Sequence, residues 1–476
     1  RGKEKVVFAS EIKSIKKHPE INTSLNLFAL AKFLRFGYVP APLSIYENIY
    51  KLEPGSISTI TENLNTKKTK YWSIDKLKQN NSKNKEYTQI KKELTRKITE
   101  SIELRSISDA PLGVFLSGGI DSSLVTSILQ SESKDKVKTF NIGFKNEQFN
   151  ESKKAKKVAD HLGTDHTSKI LTQSRAKEIL EEIPKVFGEP FADTSAIPML
   201  YLSETTSSKV KVALGADGGD ELFYGYNRYW RMKNINKYLR SIKVGLFFKK
   251  IIGENSAVNI LNWLDVYNPK GRMDKLESIV SAKSFYKKYL HLMEYWNEDD
   301  LNKLFKKEIK PDFLNLEMDE KILSDDKLMQ LSDLTNYLPD DILTKVDRTT
   351  MSVGLEGRTP LLDHKLVEYA FRNVPHKYKY KNNTSKFILK DILKEYLPKN
   401  IVNQQKKGFS IPVNKWLKQD LHYLQEKFLN KELIERQGFF NYEEIQKEKQ
   451  LFKEGKIYGK RLWNLIIFQM WAQQNL

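Results

Sequence analysis

Apolar residues along this chain fall into two kinds of run, and a polar stretch near residue 80 separates them. Ahead of it, short alternating patterns ("KVVFAS", "GSISTIT") surround one segment of helical recurrence, "LNLFALAKFLRFG". Turn formers punctuate them in "YVPAPLS" and "LEPGS". Alternation at period two predicts half-buried strands, and recurrence every three to four residues predicts an amphipathic helix. From Asp75 to Tyr87 the chain turns polar, with "KQNNSKNKE", the composition of a linker. The boundaries expected are an N-terminal unit over 1–75, a linker over 76–90 and a larger unit over 91–476.

In the larger unit, continuous apolar runs alternate with amphipathic ones. "LGVFLSGG", "VKTFNIGF", "HTSKIL" and "KVKVALGA" read as strands, while "YTQIKKELTRKITESIELRS", "SSLVTSILQ", "ESKKAKKVADHLG" and "RAKEILEEIPKVFG" read as helices. Strands without a polar face need cover on both sides, so the expected class is α/β, a parallel sheet with helices on both faces. Ligands of such sheets bind beyond the carboxyl ends of the strands. From about Trp230 onward the pattern is mainly helical with a Lys-rich middle. "LWNLIIFQMWAQ" near the end reads as a buried helix face.

Composition changes this picture little. At 476 residues there is room for more than one domain. No apolar run reaches the roughly 18 residues of a membrane span, and no signal peptide is visible. With 0 Cys there are no disulfides, thiolate metal sites or cysteine nucleophiles, and a reducing cytoplasm is the expected compartment. The net charge of +20 invites nucleic acid or anionic lipid as a partner. Lys is nevertheless spread along the whole chain without an aromatic-interleaved basic motif, so the expectation is a solvated surface, with neither nucleic acid nor membrane as a partner. The chain opens on Arg1 and runs at once into "VVFAS", which reads as the middle of a domain and hence as a fragment.

The chemistry concentrates in two glycine-rich turns. In "GVFLSGGIDSSLVTSIL", Ser117, Gly118, Gly119, Asp121, Ser122 and Ser123 stand between an apolar strand and an apolar helix. Glycines let backbone approach an anion, the helix start offers N–H groups and a positive dipole end, and hydroxyls add donors. Asp121 repels phosphate directly and so reads as the ligand of a divalent cation, Mg²⁺. The lysine that would reach a γ-phosphate is missing. Such a loop suits the β- and γ-phosphates of ATP leaving together as pyrophosphate while an acceptor attacks the α-phosphorus, a reaction that makes adenylates. A second turn, "VALGADGGDELFYGYNRY", presents Asp217, Asp220 and Glu221 among Gly215, Gly218 and Gly219. Clustered carboxylates there suggest a second cation ligand or an acid/base group.

With both turns in view, the chain resembles the glutamine-hydrolysing asparagine synthetase family over nearly its whole length. "LSGGIDSS" is similar to that family's pyrophosphate loop, "GADGGDELFYGY" to its acidic turn and "EPFADTSAIP" to the segment between. "LPDDILTKVDRTTMSVGLEGRTPLLDH" and "QKKGFSIPVNKWL" resemble its helical and C-terminal lysine blocks. At the front, "FASEIKSIKKHP" and "GYVPAPLSIYENIYKLEPGS" resemble the end of a class II glutaminase domain. The resemblance implies an adenine nucleotide alpha-hydrolase-like fold of the pyrophosphate-loop type, followed by a helical region and preceded by the β-rich remnant of an N-terminal-nucleophile glutaminase.

It further implies that ATP·Mg²⁺ adenylates the side-chain carboxylate of aspartate, and that ammonia, drawn from glutamine in the full-length enzyme, converts the adenylate to asparagine and AMP. Ser117 through Ser123 would hold pyrophosphate, Asp121 and Asp220 the Mg²⁺. Backbone at Leu116, Ile142, Gly215 and Ala216 would frame adenosine. Asp217 would take part in proton transfer from ammonia, and Lys406 would stabilise charge on the α-phosphate. The implied partners are aspartate, ATP, and ammonia or glutamine; a homodimer is compatible with them.

Three departures from the family pattern bear on the acceptor. Gly215-Ala216 replace the usual Ser-Gly, Gln404-Gln405 replace Arg-Pro before Lys406, and Asp217 is one methylene shorter than the usual Glu. A class II glutaminase uses an N-terminal Cys, so glutamine hydrolysis is not assigned to these residues. Arg348, Glu356, Arg358 and Asp363 either bind the α-ammonium and α-carboxylate of an amino-acid substrate or form a helix–loop salt-bridge network. Glu189, Asp193 and Ser195 either approach the site, or the same letters reflect a helix N-cap by Asp193 or Thr194. His161 and His166 are too few for a metal centre. Competing readings are the same adenylation on a sugar, peptide or lactam-forming carboxylate, an RNA-modifying pyrophosphate-loop enzyme, and a non-catalytic binding protein.

Overall fold

The computed structural model describes residues 5–74, 86–145, 150–264, 266, 268–309, 323–403 and 410–476. Its centre is a sheet of five strands, all neighbours parallel. Numbered along the chain after a hairpin of β1 (Ser56–Ile60) and β2 (Thr66–Lys70), these strands are β3 (Leu112–Phe115), β4 (Lys138–Phe144), β5 (Asp165–Leu171), β6 (Val212–Leu214) and β7 (Glu356–Arg358). Their spatial order is β5-β4-β3-β6-β7. The chain therefore builds outward from β3 to β5, returns to the other side of β3 as β6, and continues to β7. The direction of winding reverses between β3 and β6, and a crevice beyond their carboxyl ends follows from that reversal.

Both faces are covered, as the unalternating strands require. On one face Ile90, Leu94, Ile98 and Ile102 of the helix Tyr87–Ser106 join Val114, Leu116, Leu124 and Leu214 in one apolar cluster. On the other, Phe140, Ile142, Phe144 and Ala213 join a larger cluster that includes the helices Gln173–Phe187 and Ala196–Ser207. Adjacent residues Ala213 and Leu214 thus point to opposite faces, the period-two geometry of a strand.

The N-terminal helix Leu27–Phe36 is capped by Asn26, whose side chain accepts from the Ala29 N–H, and ends on Gly37 at φ 90°. It packs into the same cluster as the C-terminal helix Lys460–Asn475. That last helix is the buried element its sequence predicts. Trp463 Nε1 donates to the Ala192 carbonyl (3.0 Å), Trp471 Nε1 to Gly188 (3.2 Å) and Asn464 Nδ2 to Leu34 (2.9 Å). These three donors each meet a backbone acceptor, which offsets the cost of burying them, and Gln469 Nε2 donates to Gln437 Oε1 (2.8 Å).

Two local expectations are corrected. "KVVFAS" does not form a strand over its described residues; no described strand pairs with it, and Phe8 is exposed. Its alternation lacks the neighbour that would satisfy its backbone. "GLEGR", inside the block expected to be helical, instead supplies β7. Before it, Asp333–Leu343 winds as a π-helix with Pro339 inside it, and the Thr344 hydroxyl donates to the Pro339 carbonyl (2.9 Å). No described helix is long and apolar enough to cross a membrane.

Candidate active site

The turn after β3 is preorganised by its own hydroxyls. Leu116 still donates to the Phe140 carbonyl (2.8 Å) and accepts from Asn141 Nδ2 (3.0 Å), so the strand's edge stays fixed to its last residue. Gly118 then turns at φ 75°, and a side chain there would meet the Ala155 nitrogen at 2.7 Å. Only glycine satisfies both demands. Ser117 Oγ accepts from the Gly119 N–H (3.2 Å) and lies 2.9 Å from Ser122 Oγ. The helix Ile120–Glu132 begins here with no side-chain cap on its N-terminus, and Asp121 sits in its first turn. The start of this helix, Ser117 and Ser122 together form an anion-cradling turn. Ser123 Oγ is buried without a hydrogen-bond partner among the described residues.

The acidic turn after β6 comes up alongside. Gly215 donates to the Arg358 carbonyl (2.7 Å), Gly218 turns at φ 93°, and the short helix Gly219–Phe223 carries Asp220 and Glu221. The two turns meet closely, since a Cβ on Gly219 would lie 2.5 Å from Asp121 Cγ. Asp121 and Asp220 both pair with one ammonium, that of Lys386, at 2.5 Å from Asp220 Oδ1. Lys386 is 4% exposed. Its location depends on a hairpin, Tyr380–Lys381 against Thr384–Ser385, turned by Asn382 and Asn383 at φ 49° and 57°. Two successive left-handed residues are what a tight hairpin turn asks for, and Asn tolerates them. Lys386 itself stands at φ 54°, its N–H held by the Phe223 carbonyl (3.1 Å). A non-glycine residue kept in that region is strain that the surrounding contacts must hold.

Sequence reasoning missed Lys386. The one available signal was the Asn-Asn turn in "YKNNTSKF", which marks a hairpin without saying where its end points.

The acidic pair suits a cation. Its two carboxylates already enclose a positive charge, and Asp121 Oδ1 is buried with no hydrogen-bond donor among the described residues. No group of three or more acids, His or Cys that could hold a metal occurs among the described residues. Two carboxylates match Mg²⁺, which keeps waters and takes phosphate oxygens as further ligands.

A second polar cluster lies behind Asp217. Burial raises the Asp217 carboxyl above its ordinary pKa, and Lys345 opposes the rise. Lys345 Nζ is fixed by Asp193 Oδ2 at 2.7 Å and Ser195 Oγ at 2.8 Å. Burial would push Asp193 up, but Lys345 and Lys460 together hold it well below the usual carboxylate range. Burial raises the neighbouring Asp341, and Asp193 adds to that rise. Glu221 is pushed up to about 7 by burial and by Asp220, although the Tyr226 hydroxyl donates to it at 2.6 Å. Glu189 faces the N-terminal segment, accepting from the Ile45 N–H (3.2 Å) and pairing with Lys51.

Of the residues singled out in the sequence, Ser117 through Ser123, Gly215 through Asp217 and Asp220 stand on these two adjoining turns, and Ile142 lies in adjacent β4. Arg348 pairs with Asp347 (2.8 Å) and reaches the Ser10 carbonyl (3.3 Å). Arg358 pairs with Glu356 (2.7 Å) and caps the helix Tyr87–Ser106 at the carbonyls of Arg105 and Ile107. Neither arginine side chain contacts the acidic pair in any bond the structure gives. Ahead of the helix Ala196–Ser207, Asp193 Oδ1 accepts from the Ser195 N–H (2.9 Å), while Oδ2 accepts from the Ser195 hydroxyl and from Lys345. Lys406 lies outside the described residues.

Comparison with known proteins places the chain in a family. The asparagine synthase family model matches residues 93–473, and the glutamine amidotransferase domain model matches residues 1–72. Glutamine-hydrolysing asparagine synthetase 1 of Bacillus subtilis is 29% identical, covering 99% of this chain and 72% of its own length. Asparagine synthetase 3 of the same organism is 24% identical over 91% of this chain and 68% of its own length. The amidase chyE of Penicillium rubens is 25% identical over 85% of this chain and 64% of its own.

Proposed function

Because this chain belongs to the asparagine synthase family, whose members form amides at the expense of ATP, we propose that it adenylates the side-chain carboxylate of aspartate and passes ammonia to the adenylate, giving asparagine, AMP and pyrophosphate. The observation that carries the reading is the meeting of Asp121 and Asp220 around a single cation, in the crevice where the sheet's winding reverses. In this reading Ser117, Gly118, Gly119, Ser122 and Ser123 bind the departing pyrophosphate. Backbone at Leu116, Ile142, Gly215 and Ala216 lines the adenosine. Asp121 and Asp220 would hold Mg²⁺, which when bound neutralises phosphate charge and orients the leaving group.

Asp217, with its carboxyl raised by burial, takes the proton that ammonia loses as it attacks the acyl carbon. The nearby positive charge of Lys345 favours the ionised form of that carboxyl, and Lys406 supplies positive charge to the α-phosphate. The likeness to an amidase favours a second reading, in which the same adenylation serves a carboxylate other than aspartate. The test is product analysis with ATP, MgCl₂ and ammonium chloride. Asparagine formed only when aspartate is present supports the first reading. Nucleotide binding with no aspartate-dependent product overturns it and points to another acceptor.

A further inference from the structure

The helix Asn227–Ile252 carries eight Lys or Arg residues and no Asp or Glu over its 26 residues. Its start is rooted in the body. Tyr229 is fully buried, its hydroxyl donates to Asp333 at 2.5 Å, and Arg228 pairs with the same carboxylate at 2.7 Å. Eighteen residues on, Phe247 lies on the same side of the helix, five turns and about 27 Å along its axis. It is 62% exposed. The far half of the helix packs one side toward the helix Pro269–Ser281 through Lys249 and presents an opposite face that none of the described residues covers.

That face is apolar and ordered by period. Val244, Phe247, Phe248 and Ile251 stand at i, i+3, i+4 and i+7, exposed by 55%, 62%, 56% and 63%. Ile260 and Leu264, in and just after the next helix, Glu254–Trp263, add exposed aliphatic surface. Lys243 and Lys250, one heptad apart, are exposed along one border of the stripe. Lys249 points the opposite way, into ion pairs with Glu277 (2.8 Å) and Glu254 (3.5 Å).

We propose that this projecting basic helix is a membrane-surface anchor, which lays Val244, Phe247, Phe248 and Ile251 into the interface of an anionic bilayer while its lysines meet lipid phosphates. A large exposed apolar stripe bordered by Lys is the pattern of helices that lie in the headgroup region. Charge selects among occupants. A second copy docked symmetrically would set this acid-free helix against its own charge. A nucleic acid would meet the lysines but find branched aliphatics where stacking surfaces are needed. The proposal departs, for this segment, from the expectation that the positive charge is only a solvated surface.

The test is co-sedimentation of the full chain with phosphatidylcholine vesicles and with vesicles also containing phosphatidylglycerol. The double variant F247S/I251S alters exposed positions only, and unchanged circular dichroism and ATP binding will verify its fold. The proposal expects binding to the anionic vesicles alone, at least tenfold weaker in F247S/I251S and weaker again in K243S/K250S. Absence of binding to anionic vesicles overturns it, and so does binding that F247S/I251S leaves unchanged. It is also overturned if the protein is a dimer by light scattering that F247S/I251S splits, or if RNA binds through the same residues and the vesicles do not.

Discussion

Replacing Lys386 by Met tests the idea that the acidic pair requires a cation. The side chains are of similar length, so packing changes little, but the ammonium between Asp121 and Asp220 is gone. Because Lys386 is almost fully enclosed, the loss leaves two carboxylates facing each other with little solvent to screen them. Removing one partner of a buried ion pair costs on the order of 3–5 kcal/mol. A divalent ion that binds only the folded state returns about 2.7 kcal/mol at a hundred times its dissociation constant. Lys386→Met is therefore expected to melt well below the parent in EDTA and to recover roughly half or more of the loss in saturating MgCl₂. The parent, whose pair already encloses a charge, is expected to respond much less. Adding Asp220→Asn to Lys386→Met should relieve the repulsion and abolish the magnesium response. Differential scanning fluorimetry with and without EDTA reads all three proteins. An unchanged melting temperature in EDTA, or a magnesium response no larger than the parent's, would refute the reasoning.

Three further outcomes follow from the same geometry. Gly219→Ala puts a methyl group 2.5 Å from Asp121 Cγ, so pyrophosphate release should fall about a hundredfold, with a stability loss of only about 1–3 kcal/mol, as measured by steady-state kinetics and urea unfolding. Asp217→Asn should lower kcat by roughly 10²–10⁴ and Asp217→Glu much less, with ATP binding intact in both by titration calorimetry. Asp340 is raised to about 6, by burial first, against Lys51 and the Ala41 N–H. The fold thus favours its protonated form, so the cost of ionising it is absent below about pH 4 and grows as pH rises through 6, toward about 3 kcal/mol. Asp340→Asn should be more stable than the parent at pH 8 and equal to it near pH 4 in urea melts; a constant difference across that range would contradict the assignment.

What the sequence disclosed was what is local. Strands β3 and β6 are apolar runs with glycine soon after each, and the two chemical turns follow them directly, so periodicity and turn chemistry place them together. The residues it hid are joined over long distances. Lys386 meets Asp121 across 265 positions, and Lys345 meets Asp193 across 152. Their helices and hairpins look ordinary until the sheet brings them to one edge. β7 is 3 residues long, too short for any period to register, and its partner is β6, about 140 positions earlier in the chain. "KVVFAS" failed for the opposite reason, since alternation is a property of the segment and pairing a property of its neighbours. The projecting helix was visible only as a Lys-rich stretch, because whether Phe247 is covered depends on where the body ends.

The most direct test of the central claim is which phosphate bond breaks. With ATP, MgCl₂, aspartate and ammonium chloride, phosphorus NMR of the reaction should show AMP and pyrophosphate rising in equal amounts, as attack on the α-phosphorus requires. ADP and inorganic phosphate would mean that the turn at Ser117–Ser123 does not release pyrophosphate as a unit, and would contradict the account.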